Sequence, residues 1–419
     1  MTASSSASTS RLLIRDLAQI ATPRVTSDGG TVRGQGLGTV EVIEGGFVLS
    51  ENGRIRAVGR MRELSQVPGV VEEIDGRGLV AIPGLVDCHT HACFAGDRVE
   101  EFALRAAGAS YEELQAAGGG ILSTVRATRE AGEHGLRDSL LRHREWMLRS
   151  GTTTFEAKSG YGLDRETELA QLRVIRDAGG IPTWLGAHAL PPEFADAGAD
   201  AYLDFLLTDV LPDAALLAEA ADVFLERGAF TETQARRYLE ACGAAGLTLR
   251  LHGDQFTESG AIPLAIELAA RSVDHLESTG PDGIAALAAS DVAAVLLPAS
   301  ALFLNRPMPP ARALADAGAI VALATDFNPG SAFCESLPLV CGLACTQLGL
   351  SPAEALVACT VNAAHVLGRT DRKGRLAAGF DSDLVLLDAD DWRYLAYHLG
   401  GPVVRTVVVG GEIAWDSRA

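Results

Sequence analysis

Five of the nine histidines, His89, His91, His188, His252 and His275, stand at or just beyond the end of a short apolar run that reads as a β-strand, and Asp326 ends another. His89-Thr90-His91 follows Leu85 and Val86. Residues two apart on a strand point to the same side, so the two imidazoles face one point. A borderline-soft divalent ion such as Zn2+ or Fe2+ takes imidazole nitrogen and carboxylate oxygen, and a catalytic site leaves one position for water. An isolated H-x-H is also what chance produces in a chain with few histidines. His252 and Asp326, each at a strand end, complete three histidines and one carboxylate, and that set favours a metal.

These residues need a frame that brings distant strand ends together. Between residues 84 and 368 the sequence alternates apolar strands with Ala-, Leu- and Glu-rich helical stretches, the pattern of βαβ units and a parallel sheet. The runs GLVDCHTH, TTTFEAKSG, TWLGAHAL, ADVFLERG, LTLRLHGD, SVDHLES, VAAVLLP and IVALATDF supply eight strands, enough to close a (β/α)8 TIM barrel. Active sites in that fold sit at the C-terminal rim of the strands, where the histidines and Asp326 fall. Residues 12–83 and 369–419 carry short Val- and Ile-rich strands split by Gly pairs, and are expected to pair into one small β domain built from both termini. Residues 1–11 read as a disordered tail.

Composition narrows the function. The 419 residues are 47% hydrophobic and carry a net charge of −19, which excludes disorder and lacks the basic stripe of a nucleic-acid binder. The longest apolar stretch, 292–304, is interrupted by Pro298 and is too short for a membrane helix. No secretory apolar segment opens the chain, and the seven scattered cysteines form no C-x-x-C pair, so a reducing cytoplasm is expected. Small-molecule chemistry is the class that remains.

PGLVDCHTH, a later strand-end His, a further His in DHL and a closing TD resemble the amidohydrolase superfamily. Within it, HTHACFAGDRVEEF, GGGILSTV, KSGYGL, LGAHALPPE, HGDQF, DHLE and ATDFNPG are similar to the imidazolonepropionase family of histidine degradation. The resemblance spans the chain. It implies a distorted barrel, a β-sandwich annex, one metal ion per subunit (Zn2+ or Fe2+/Fe3+) and a homodimer. Binuclear relatives bridge two metals with a carbamylated lysine on the fourth strand, and ADVFLERG has none. Lys158 lies on the second strand and is expected to be a rim or packing lysine.

A metal-bound water is acidified but still needs a base for its proton and an acid for the leaving nitrogen. Asp326 can serve as both. His275 can hydrogen-bond the water or polarise the carbonyl, and with the metal it would stabilise the oxyanion. The catalytic set is therefore Asp326, His275 and His252, and the ligand set is His89, His91, His252 and Asp326.

The substrate implied by the resemblance is 4-imidazolone-5-propanoate, hydrolysed at a ring C–N bond to N-formimino-L-glutamate. Arg98 matches the family's carboxylate anchor, a role that suits a bidentate guanidinium. Tyr161 and His188 match substrate contacts, and Gln255 matches a position that bonds the imidazolone ring without titrating. Asn328, Gly330 and Ser331 match contacts to the open-chain product. Two other readings stay open: a related cyclic amidase or deaminase, and a non-catalytic metal or ligand binder on the same barrel.

Overall fold

In a computed structural model of the chain, residues 10–25, 30–67, 71–108 and 119–418 are described. Eight short runs form parallel strands: β1 (Leu85–Asp87), β2 (Thr152–Lys158), β3 (Ile181–Ala187), β4 (Ala220–Leu225), β5 (Thr248–Gly253), β6 (Ser272–His275), β7 (Ala293–Leu296) and β8 (Ile320–Leu323). Each pairs with the next in chain order, so the sheet runs without interruption from β1 to β8. Helices between them cover the outer face, as parallel strands buried on both sides require. All eight runs singled out in the sequence are strands.

The seam between β8 and β1 has no regular ladder. It is closed beyond the strand ends, where His91 N donates to Phe327 O (2.9 Å) and Asp326 N donates to His89 O (3.1 Å). Lower down, the Asp87 carboxylate accepts the Thr325 backbone N–H and hydroxyl. The register of the H-x-H segment against Asp326 is thus fixed by the bonds that close the cylinder. Register shifts at Leu85/Val86 and at Trp184/Ala187 make the barrel irregular. One detail differs from expectation: regular β8 stops at Leu323, and Asp326 lies three residues on, with φ 56°.

The two termini build a second sheet. Its longest strand, Arg11–Pro23, pairs antiparallel with Val40–Glu51 on one side. On the other side it pairs in succession with Glu72–Asp75 and Val80–Pro83. Val80–Pro83 then pairs with Leu384–Leu387 from the C-terminal segment, which joins both chain ends in one domain. Leu12, Ile14, Val48, Ile55, Leu384 and Val408 pack into its own buried cluster. Ile82, Val385, Leu387 and Val407 instead belong to the main barrel core, so the annex shares apolar surface with the barrel base. The expected tail of residues 1–11 falls largely on residues 1–9, outside the described residues, while Arg11 already opens a strand. Among the described residues no helix is long and apolar enough to cross a membrane.

Candidate active site

At the C-terminal rim, the four expected ligands converge. His89 Nε2 and His91 Nε2 each lie 3.5 Å from Asp326 Oδ1, and His252 Nε2 lies 3.2 Å from His91 Nε2. His89, His91 and Asp326 each offer a ligand atom within 4.8 Å of the others, and so do His89, His252 and His275. The elements explain the meeting. His252 is on β5, His275 ends β6, and His89, His91 and Asp326 ride on the paired extensions of β1 and β8. His275 and Asp326 both hold φ in the left-handed region, at 86° and 56°. Non-glycine residues pay for that conformation, and its occurrence at two rim residues marks a site over-determined by its surroundings.

On two of the ligand histidines, His89 and His252, the ring nitrogen that does not face the centre is engaged by a carboxylate. His89 Nδ1 is 2.5 Å from Asp274 Oδ2, and His252 Nδ1 is 3.0 Å from Asp222 Oδ1. A carboxylate accepts, so each Nδ1 carries the proton and each Nε2 presents its lone pair to the centre. His89 Nε2 is buried with no hydrogen-bond partner in the protein. Two such lone pairs aimed at one point beside a carboxylate fit a divalent cation, and the donor set suits zinc or iron.

Burial and the neighbouring histidines and Lys158 hold His89 well below the usual imidazole range, which keeps it neutral as a ligand must be. Burial opposes the His275 imidazolium too, but Glu277, Asp326 and Asp274 outweigh it and its pKa lies above the ordinary value. Burial raises Asp326 above the usual carboxylate range despite the nearby histidines.

From this centre a cavity of about 430 Å³ opens toward solvent. Every sequence-predicted site residue lines it except His89, which sits behind the others. Tyr161 is buried, its ring 5.4 Å from His188, which in turn stacks on His91 with centroids also 5.4 Å apart. His188 Nδ1 lies 2.9 Å from Gly160 O, which fixes the ring, and burial pushes its pKa down to about 4.

At the mouth, Arg98 caps the helix Val99–Ala106 and its guanidinium grips Glu101, with Nε 2.8 Å from Oε2. The guanidinium lies against the bare backbone of Gly330, where a Cβ would stand 2.0 Å from Arg98 Nη1. Asn328 organises its own turn. Its amide donates to Asp326 O (2.6 Å) and Ser331 Oγ (2.8 Å), while its carbonyl accepts the Gly330 and Ser331 N–H groups. Much of its bonding capacity is therefore spent in shaping the loop that carries Asp326.

Lys158 departs from the expectation of a rim or packing lysine. It is fully buried inside the barrel, with Nζ 2.7 Å from Glu156 Oε1 and 2.9 Å from Asp222 Oδ2. Sequence reading also passed over Asp222 and Asp274, though both stand in the quoted runs ADVFLERG and SVDHLES. The available signal was a charged residue in the middle of an apolar strand that must be buried on both faces. Glu101, Arg105, Ile121, Phe224, Phe256, Leu304 and Arg306 complete the cavity wall. Apart from Phe224 on β4, they lie on loops and helices with no spacing that announces them.

The remaining histidines lie outside the cavity. His143 is buried with Nδ1 2.8 Å from Ala92 O, His365 is half-buried, and His134 and His398 face solvent. All seven cysteines are free.

The amidohydrolase family model matches residues 80–414. The imidazolonepropionase of Rubrobacter xylanophilus is 60% identical over 412 residues, covering 96% of this chain and 98% of that protein. That of Chloroflexus aggregans is 47% identical, covering 94% and 96%. Among solved structures, a triazine hydrolase variant superposes with a TM-score of 0.71 at 20% identity, covering 97% of this chain and 95% of that one. A zinc-bound adenosine deaminase from Xanthomonas campestris gives 0.68 at 19% identity, covering 97% and 93%. At that identity the structural likeness speaks to the fold, while the full-length relatives speak to the family. The chain belongs to the amidohydrolase family and, within it, to the imidazolonepropionases.

Proposed function

We propose that this enzyme hydrolyses the ring amide C–N bond of 4-imidazolone-5-propanoate, giving N-formimino-L-glutamate in histidine degradation. The observation that carries the reading is one cavity with two chemically different ends. Neutral imidazole nitrogens and a carboxylate converge at its floor, and a guanidinium stands at its mouth.

His89, His91, His252 and Asp326 would hold one divalent ion, zinc or iron. When bound, that ion supplies Lewis-acid activation of water and of the amide carbonyl. Asp326 takes the proton of the attacking water at a carboxylate oxygen and returns it to the ring nitrogen as the C–N bond breaks. His275, drawn toward the charged form by Glu277, donates a hydrogen bond to the carbonyl oxygen as negative charge develops there. Arg98 binds the propanoate carboxylate, and its pairing with Glu101 leaves Nη1 directed toward Gly330 at the cavity wall. Tyr161 and His188 close one side of the ring site, and Gln255 hydrogen-bonds the imidazolone. Asn328, Gly330 and Ser331 hold the open-chain product. The free thiols suit a reducing cytoplasm, and the family resemblance supports a homodimer.

The test is loss of absorbance of freshly generated imidazolone propanoate, with metal content measured on the same sample. Full turnover by metal-free protein would overturn the mechanism, and unchanged kinetics in Arg98→Ala would overturn the anchor. A purine, guanidine or hydantoin that turned over faster would replace the substrate.

A further inference from the structure

Beneath the four candidate ligands, the barrel interior carries charges where such interiors usually hold packed apolar layers. Lys158 from β2 touches Glu156 Oε1 at 2.7 Å and Asp222 Oδ2 at 2.9 Å, and all three side chains are fully buried. Arg250 from β5 touches the same Glu156 oxygen at 3.0 Å and Asp274 Oδ2 at 2.9 Å. Asp222 and Asp274 are the carboxylates that orient His252 and His89.

Buried charge is tolerated only when it is balanced. Counted over Glu156, Asp222, Asp274 and Asp326 with Lys158 and Arg250 alone, the formal charges sum to −2, which one divalent ion neutralises. The Lys158 contact with Asp222 lacks hydrogen-bond alignment, so the ammonium acts there as a point charge. It stands between two carboxylate oxygens at distances a divalent cation could occupy after a small inward shift of each, to roughly 2.0–2.2 Å for zinc.

We infer that the Lys158 ammonium is a built-in cation standing where a second divalent ion would otherwise bind between Glu156 and Asp222, and that it sets the metal content of the barrel at one ion per chain. The inference rests on the metal reading above. Removing the ammonium opens the space between the two oxygens and takes the local sum to −3. One divalent ion then leaves that sum short by one charge, and a second ion accompanied by one hydroxide returns it to zero.

The experiment strips wild type and Lys158→Ala with a chelator, reloads both with excess Mn2+, desalts them and counts manganese per chain by elemental mass spectrometry. The expected result is one ion per chain in wild type and two in the variant. A folded variant that holds one ion overturns the inference, whereas a wild type that holds none overturns the metal reading itself. Should Lys158→Ala not fold, Lys158→Gln is titrated with Mn2+ in thermal melts. Stabilisation continuing past the first equivalent supports the inference, and a plateau at one equivalent overturns it.

Discussion

At the floor of the cavity the reactive atoms belong to strand ends, those of His89, His91 and Asp326 tied across the β8–β1 seam, and His89 is fully buried. At the mouth, Arg98, Glu101 and Arg105 belong to a short helix in which no residue is buried. The floor is held by backbone pairing and buried carboxylates, the mouth mainly by side chains gripping one another. A barrel can therefore keep its chemistry in the rigid part and adjust what it recognises in the part that costs least to change.

The sharpest way to break that contrast is at the floor. Asp326→Asn keeps the shape of a possible ligand but cannot carry a proton, and kcat should fall by about 10² to 10⁴. Steady-state kinetics with metal content measured in parallel would check it. A variant that keeps both its metal and most of its kcat would move the proton-transfer role elsewhere. Chelation of wild type should remove activity and lower the melting temperature together, because a ligand bound only by the folded state stabilises it.

At the mouth the loss should appear in KM. Arg98→Ala removes a charge-assisted pair of hydrogen bonds to the propanoate, on the order of 1.5–3 kcal/mol, or about 10- to 100-fold. Its kcat should change much less. A substrate analogue without the carboxylate should discriminate poorly between wild type and variant. Equal losses in kcat and in kcat/KM would mean instead that the guanidinium acts in the transition state, and would erase the division between floor and mouth.

A subtler effect lies behind the floor. Asp274→Asn and Asp222→Asn alter the partners that aim His89 and His252, and metal affinity should drop by roughly ten-fold, the low end for such changes. Competition with a chromophoric chelator measures it directly.

These carboxylates also show where sequence reading stops. The eight strands, both chain ends in one annex and the convergence of His89, His91, His252, His275 and Asp326 were legible because barrel geometry ties strand ends to one rim. Strand order is a local fact, and so is a histidine after an apolar run. Lys158 was misjudged because its partners come from different strands: Glu156 is two residues away on β2, but Asp222 is on β4. Only the closed cylinder brings that ammonium and those carboxylates together. Glu101 was hidden for another reason, since a glutamate three residues after an arginine on a helix ordinarily reads as a solvated surface pair.

Glu168 links floor and mouth, and its effect on activity should be the smallest. Its buried carboxylate accepts the N–H groups of Gly160, Gly162 and Leu163, which shape the loop bearing Tyr161. Burial pushes its pKa up to about 7 in spite of those hydrogen bonds, against 4.5 for an ordinary glutamate. The folded chain therefore holds this proton more tightly than the unfolded chain does. Glu168's contribution to stability is complete below pH 4.5 and is lost as pH rises to about 7, a change of about 3 kcal/mol.

Glu168→Gln cannot titrate. Its melting temperature should lack that part of the decline between those two pH values, while kcat/KM at neutral pH falls only a few-fold because one amide oxygen still accepts from the loop. Melting curves of both proteins across the interval decide the matter. Parallel curves would mean that the carboxylate titrates no differently in the folded chain.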